Sequence, residues 1–456
     1  MRDHRRESVA KYIFCKWVNS LPMSIDQEAR RRVVITGIGI VSPIGIGMDP
    51  FRDHLEHSQS GVASLEVLRD FSLPENVGAE VKDFTEETAK KNYLKALRKS
   101  LKVMCREIQL GVASACLALE QSKLDLTTID HERLGIEFGA DLMLSPPENL
   151  KDACFACSDE LSREFRMQDW GPNGLRNMEP LWLLKYLPNM PACHIGIFAD
   201  ARGPNNSITQ SEAAGNLAMT EAFHIIERDH ADMMIVGSTG SRLVPTKSIH
   251  AVMWCEVAPG PDIRCRPFDL NRTGQIAGEG SCTLILEEEA HARARGAEIF
   301  GEILGGGSSC VAPARTDDAI RLSLGNAMRQ AIRDAHISPD QIGHVNANGD
   351  GTRHRDEQEA QAILDVFGEA GKKIPVTAFK SYWGNAGAGC GVMEITGSLV
   401  GLKHGYIPAT LGYETPDPKC PLNVVHGENL PTENKIFIKT NVTRMGQASA
   451  VVIRGL

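Results

Sequence analysis

The sequence predicts a layered α/β protein built from two related halves. Runs of β-branched residues that end in glycines recur along the 456 residues, and helical patterns separate them. The strand-and-glycine signature near residue 33 returns near residue 344, and no short-period repeat is visible. Alternation of this kind is typical of sheets whose faces are covered by helices.

The predicted elements follow one another in the order that this fold class requires. The segment RRVVITGIGIVSPIG (31–45) predicts a buried strand that enters a turn, and an amphipathic helix is predicted from about Leu94 to Leu124. A helix end and strand are predicted at 226–240, a strand, helix and strand at 282–307, and a strand with a glycine-rich turn at 344–352. We expect the halves to span residues 31–300 and 301–456.

Residues 1–30 are predicted to be an N-terminal extension, or partly a segment upstream of a true start at Met23. Its short apolar run is interrupted by Lys16, which does not fit a signal peptide. No stretch of the sequence reaches the roughly 18 apolar residues that a membrane span needs. We therefore expect a cytoplasmic protein without a membrane span.

The net charge and the cysteine content limit the possible partners and cofactor roles. A net charge of −9 argues against a nucleic-acid surface, although small basic patches could dock an acidic partner such as a carrier protein. The twelve cysteines are scattered and are predicted to be reduced structural thiols. The pair Cys154 and Cys157 has CxxC spacing without a second pair, so a metal or redox role for it stays a minor alternative.

No cofactor and no metal are predicted. The TGIG turn lacks the third glycine of a dinucleotide-binding fingerprint, since Ser42 stands at that position. None of the fourteen histidines has the spacing of a known metal motif. His224 is predicted to be an ordinary core or surface imidazole, because no partner motif accompanies it.

Seven segments, in order, resemble the elongating β-ketoacyl-acyl-carrier-protein synthases. They are VVITGIGIVSPIG, GPNNSIT, ADMMIVGSTG, RPFDLNRTGQIAGEGSCTLILEEEAHARARGA, VNANGDGTRHRDEQEAQAI, KSYWGNAGAGCGVME and IPATLGYETPDPKCPLN. The resemblance covers about residues 31–456 and implies a thiolase-like fold, in which two βαβ-type halves form an α-β-α-β-α core. It also implies an acyl carrier protein as a partner and a dimeric assembly.

The resemblance aligns Glu212 with the family's nucleophilic Cys, and Asn348 and Asn385 with its two His. In the family that Cys lies at the start of a buried helix and carries the acyl chain, while the His pair assists decarboxylation and stabilises the oxyanion. A carboxylate fits a helix N-terminus but forms no acyl-thioester. An asparagine amide donates hydrogen bonds but exchanges no proton near neutral pH.

Ser211 is the alternative nucleophile if the alignment shifts by one residue. A serine hydroxyl needs a neighbouring base, however, and the sequence identifies none for it.

Three further charged residues of the family are retained: Lys380, Glu359 and Glu394. They are predicted to form either a network that once positioned the His pair or a buried ion network that holds the fold. The second interpretation is preferred, since a buried paired charge is costly to break whether or not catalysis occurs.

The family's glycine- and phenylalanine-rich gate loop is replaced by KTNVTRMGQASAVV (439–452), with Thr443 and Met445 at the aromatic positions and Arg444 between them. These three residues are predicted to line the substrate pocket as an altered gate. Loop residues packed at a closed pocket are an equal alternative.

The sequence therefore predicts a synthase homologue of fatty-acid or polyketide biosynthesis that does not condense. The leading hypothesis is a chain-length-factor-like subunit that forms a heterodimer with an active synthase. The alternatives are an enzyme with altered chemistry, such as malonyl-carrier decarboxylation or acyl transfer with Asn348 and Asn385 as oxyanion donors, and a homodimer that binds acyl chains or carrier proteins.

Overall fold

The computed structural model describes residues 30–65, 77–258, 264–312 and 316–456. The predicted extension therefore lies almost entirely outside the described residues. The strands are β1 Val33–Ser42, β2 Gly45–Ile46, β3 Ala63–Ser64, β4 Val77–Ala79, β5 Leu134–Ala140, β6 Asn205–Ile208, β7 Met233–Ser241, β8 Ala277–Glu288, β9 Gly301–Cys310, β10 His344–Asn346, β11 Pro375–Thr377, β12 Tyr406–Ile407, β13 Asn423–Val424, β14 Leu430–Pro431, β15 Ile436–Val442 and β16 Gln447–Gly455.

Twelve α-helices lie in the described part of the chain, joined by several one-turn 3₁₀ or π segments. They are α1 Met48–Glu56, α2 Glu86–Thr88, α3 Arg106–Ser122, α4 Glu148–Ala156, α5 Met190–Ala199, α6 Ala214–Glu227, α7 Pro245–Trp254, α8 Glu289–Ala294, α9 Ala319–Asp334, α10 Arg353–Phe367, α11 Lys380–Trp383 and α12 Cys390–Lys403. None of the helices in these described ranges is long and apolar enough to cross a membrane.

The main sheet has the strand order β13-β11-β10-β15-β16-β9-β1-β8-β7-β5-β6. The antiparallel contact between β1 and β9 lies at its centre. On one side, β1, β8 and β7 are successively antiparallel, and β5 is parallel to β7. On the other side, β9, β16 and β15 are successively antiparallel, and β10 is parallel to β15. The two sides therefore repeat one pattern, which confirms the prediction of two related halves.

The two strands that share the signature, near residues 33 and 344, are not counterparts in the two halves, however. Counting outward from the centre, the counterpart of β1 is β9, and β10 is the counterpart of β5. Short glycine-ended strands resemble one another locally, whereas strand equivalence is set by long-range pairing that a local pattern does not contain.

Two helices form the central layer between the halves. The α6 helix contacts β5 and β7 on one side and β9 and β16 on the other, and α12 contacts β7, β8, β15 and β16. Every residue of α12 before Lys403 is buried, as expected for a helix that is surrounded on all sides. Outer helices such as α3 and α9 cover the other sheet faces, which gives five alternating layers.

The first strand shows why glycines recur in these elements. All ten residues of β1 are buried, and a Cβ on Gly39 would lie 2.0 Å from the carbonyl oxygen of Ser114 in α3. The TGIG glycines thus allow α3 to approach β1 closely, which is a packing role and not a dinucleotide turn.

The helix predicted from Leu94 begins only at Arg106. Within residues 95–103, only 95–97 and 101–103 are helical, as short 3₁₀ turns. This stretch carries Lys95, Arg98, Lys99 and Lys102 without one acidic residue. Like charges four residues apart destabilise an α-helix. The spacing of apolar residues was therefore not enough to predict where this helix begins.

Candidate active site

The candidate site lies where the N-terminal end of α6 meets the turn before α12. A 3₁₀ turn over Ser211–Ala213 leads into α6, and Ser211 has a φ of +44°, in the left-handed region. Such a conformation is unfavourable for a residue with a side chain and is typical of sharp turns at functional sites. The turn delivers the Glu212 side chain, which is buried, into the centre of the protein.

Glu212 is held by two arginines and an asparagine. Its Oε1 lies 2.9 Å from Arg242 Nη2 and 3.8 Å from Arg355 Nη1, and it accepts a 3.0 Å hydrogen bond from Asn385 Nδ2. Burial raises the pKa of this carboxyl, but the two guanidinium charges and the hydrogen bond outweigh it and bring the pKa well below its ordinary value. The carboxylate is therefore ionised at neutral pH.

Both amide N–H groups of Asn385 are directed at protein acceptors. Nδ2 donates to Glu212 and, at 2.7 Å, to Gln275 Oε1. Its Oδ1 accepts from the Gly387 N–H at 2.9 Å. Two of the three residues aligned with the family triad, Glu212 and Asn385, are thus in direct contact.

Asn348 belongs to a neighbouring polar cluster. Its Oδ1 accepts a 3.1 Å hydrogen bond from Lys380 Nζ, and its backbone N–H donates to Glu359 Oε1 at 2.8 Å. Glu359 also accepts from the Gly349 N–H at 2.8 Å, so this carboxylate supports the turn that carries Asn348. Burial raises the pKa of Glu359, against the effect of these hydrogen bonds.

Lys380 and Glu394 form a fully buried pair, with Nζ 2.8 Å from Oε1. Lys439 Nζ lies 2.8 Å from the other oxygen of Glu394, so two lysines share one carboxylate. Burial lowers the pKa of Lys439 to about 8, because the Lys380 charge adds to the desolvation and Glu394 offsets them only in part. Burial raises the pKa of Glu394, but the two lysines outweigh it and lower the pKa.

The predicted gate residues lie at the same site. Thr443, Arg444 and Met445 form the turn between β15 and β16, where the Thr443 backbone N–H donates to Gln447 O and the Gly446 N–H donates to Thr443 O. Together with Glu212 they line a cavity of about 450 Å³. Thr443 is buried, whereas Arg444 and Met445 are exposed and Arg444 lies 5.4 Å from the Trp254 ring centroid.

The alternative nucleophile Ser211 has no base among the contacts described. Its Oγ accepts a 3.2 Å hydrogen bond from Arg242 Nη2. A guanidinium is always protonated and cannot accept the hydroxyl proton. The arrangement therefore does not activate Ser211.

Several residues of the site were not identified from the sequence. Arg242 follows strand β7, Arg355 lies in the first turn of α10, and Lys439 lies within β15. Each is a basic residue in or beside a segment that is otherwise apolar or that resembles a family motif. A charged residue in such a segment was the signal that the sequence contained. Their carboxylate partners come from distant parts of the chain, so the pairing itself was not predictable from spacing.

The residues of the metal and thiol alternatives lie within the described ranges. No group of three or more His, Cys, Asp or Glu that could hold a metal is present there. Cys154 lies within α4 and Cys157 just after it, both as free thiols. His224 Nδ1 lies 2.9 Å from Glu227 Oε2 at the far end of α6.

Comparison with known proteins matches two family models to this chain. The β-ketoacyl synthase N-terminal domain matches residues 30–292, and the β-ketoacyl synthase C-terminal domain matches residues 300–414. Nodulation protein E of Rhizobium leguminosarum bv. trifolii is 31% identical over 92% of this chain and 98% of that protein. The 3-oxoacyl-[acyl-carrier-protein] synthase 2 of Coxiella burnetii is 31% identical over 88% and 92%.

Solved structures show the same architecture. A chain of the ishigamide ketosynthase/chain length factor aligns with a TM-score of 0.80 and 25% identity, over 94% of this chain and all of that chain. A β-ketoacyl synthase from Burkholderia phymatum aligns with a TM-score of 0.81 and 25% identity, over 93% and 100%. The predicted thiolase-like fold is confirmed.

Proposed function

This chain belongs to the β-ketoacyl synthase family, and from that premise we propose that it is a non-condensing subunit, similar to a chain-length factor, that pairs with an active synthase. The observation that carries the proposal is the ionised Glu212, which the sequence resemblance aligns with the family's nucleophilic Cys and which is bound by Arg242, Arg355 and Asn385. A carboxylate neutralised in this way is a poor nucleophile, and it provides no thiolate for acyl transfer.

The altered-chemistry alternative has less support. An oxyanion hole needs donors directed at the position of the developing charge. Asn385 donates both of its amide N–H groups to Glu212 and Gln275, so they would have to be released before a substrate oxygen could be bound. Asn348 in turn lies against Lys380 and cannot exchange a proton near neutral pH.

The activity test uses the purified chain with acyl-carrier and malonyl-carrier proteins. We expect intact-protein mass spectrometry to show no acyl adduct, and we expect neither chain extension nor carbon dioxide release. Covalent acylation followed by extension by the chain alone would overturn the proposal. Carbon dioxide release that Asn385→Ala abolishes would instead favour the decarboxylase alternative.

A partner subunit would be expected at the β6 edge of the sheet. Among the strands of the described residues, β6 is the last on this side, and its residues Asn205–Ile208 are exposed or half-buried. Beside it, Ile197 on α5 is 78% exposed. An open strand edge next to an exposed apolar side chain favours pairing with another subunit. We propose that a synthase with an intact Cys-His-His triad, encoded nearby, binds here.

Replacing Ile197 with aspartate should weaken this association by about tenfold or more, because a charge would be buried at an apolar contact. Sedimentation velocity of the chain, alone and with a candidate synthase, measures the effect. Leu322→Asp is the matched control, since Leu322 is an exposed leucine on α9 at the other half of the protein. Equal effects of the two substitutions on association would contradict an interface at β6. If the unsubstituted chain forms a homodimer and binds no synthase, the acyl- or carrier-binding alternative is favoured.

A further inference from the structure

The cavity over Glu212 is lined by more basic than acidic side chains. Four basic side chains face it: Arg242, Lys247, Arg355 and Arg444. Apolar side chains, among them Leu142, Trp254 and Met445, form much of the remaining wall. Its volume of about 450 Å³ is within the range of small-molecule sites.

The charges in this wall are arranged in depth. Lys247 pairs with Glu107, Arg242 with Glu212, and Arg355 with Asp350, and in each pair the carboxylate is less exposed than its cation. Glu107 and Asp350 lie outside the lining, whereas Glu212 and Asp141 line the cavity beside the four cations. Four positive and two negative side chains therefore face a ligand, so the local field favours an anion.

The basic groups also keep hydrogen-bond donors that the described residues do not use. A guanidinium has five N–H donors, and those of Arg242 reach only Ser211, Glu212 and Gln275 within the described chain. Lys247 has three donors and donates to one carboxylate oxygen there, that of Glu107. Arg444 lies over Trp254 without a carboxylate within ion-pair distance in the same ranges.

We propose that this cavity binds a small organic monocarboxylate, with the carboxylate against Arg242, Arg355 and Arg444 and the carbon chain against Leu142, Trp254 and Met445. Forked guanidinium donors match a carboxylate in geometry, and the apolar wall takes the chain. The site would be a ligand-binding function of the isolated chain. It therefore stands or falls independently of whether the chain pairs with a synthase.

A ligand with a single negative charge fits best, because the positive and negative charges in and behind the cavity wall are equal in number. The four cations are matched by four carboxylates, those of Asp141, Glu212, Glu107 and Asp350. A monoanion adds one uncompensated charge, whereas a phosphate near neutral pH adds more. The proposal thus distinguishes a monocarboxylate from inorganic phosphate.

Calorimetric titration of the full-length chain with hexanoate, hexanamide, acetate and inorganic phosphate tests the site. We expect hexanoate to bind at least about tenfold more tightly than hexanamide, which lacks the charge, and than acetate, which lacks the chain. Equal affinity for hexanoate and hexanamide, or tighter binding of phosphate than of hexanoate, would overturn the assignment.

Arg444→Gln locates the binding. Arg444 is exposed, so the substitution should leave the fold intact and weaken hexanoate binding by about fivefold to tenfold. Arg333→Gln is the matched control, because Arg333 is an exposed arginine at the C-terminal end of α9, and it should leave the affinity unchanged. If Arg444→Gln binds hexanoate as tightly as the unsubstituted protein, the anion does not bind at this wall.

Discussion

Replacement of Lys380 by methionine is expected to lower the free energy of unfolding by about 3 kcal/mol, the lower end of the cost of breaking a buried ion pair. Lys380 Nζ lies 2.8 Å from Glu394 Oε1, and both side chains are 0% exposed. It also donates to the Asn348 backbone oxygen at 2.8 Å. The loss stays at the lower end because Lys439 continues to neutralise Glu394.

Urea denaturation at pH 7 measures this change, with Lys403→Met as the matched control. Lys403 pairs with Glu298 at 2.7 Å, but the two side chains are 47% and 60% exposed. A pair of that kind contributes about 0–1 kcal/mol, since water solvates both charges in either state. Similar losses in the two variants would mean that Lys380 is not a structural charge, and they would favour a role in binding or chemistry instead.

The core of the fold was predictable because its elements have local signals. A ten-residue run such as β1, rich in Val and Ile and bounded by a glycine turn, indicates a buried strand without reference to any other part of the chain. The equivalence of β1 with β9 was not predictable in this way. It depends on which strands form hydrogen bonds across the sheet, and β9, with its GGG segment, does not resemble β1 locally.

The site was predictable only where the family resemblance aligns a residue with a known position. The resemblance singled out Glu212 and Asn385, and they are in contact. Arg242 and Arg355 were missed, although they decide the charge of the site. A carboxylate at a buried position requires a nearby cation. An arginine in or beside an otherwise apolar segment was therefore the signal in the sequence.

Glu212→Gln is expected to destabilise the protein by about 3 kcal/mol at pH 7, because it leaves Arg242 and Arg355 in the interior without the carboxylate that they share. Asp350 continues to pair with Arg355, which keeps the loss from being larger. The amide can retain the hydrogen bond with Asn385, so the variant removes charge more than shape. Urea denaturation measures it, and Glu298→Gln, at an exposed pair, should change stability by less than about 1 kcal/mol.

The pH dependence of stability distinguishes the effect of the Glu212 charge from the effect of its packing. The pKa of Glu212 is lowered in the folded protein, so its contribution is fully present above the pKa of the unfolded chain, about 4.3, and is lost as the pH falls below it toward the folded value. The difference between the unsubstituted protein and Glu212→Gln should therefore narrow between about pH 4.3 and pH 3. A difference that stays constant over that interval would mean that the glutamate stabilises the site by its shape. In that case the charge of the carboxylate would not be what holds Arg242 and Arg355 at this site.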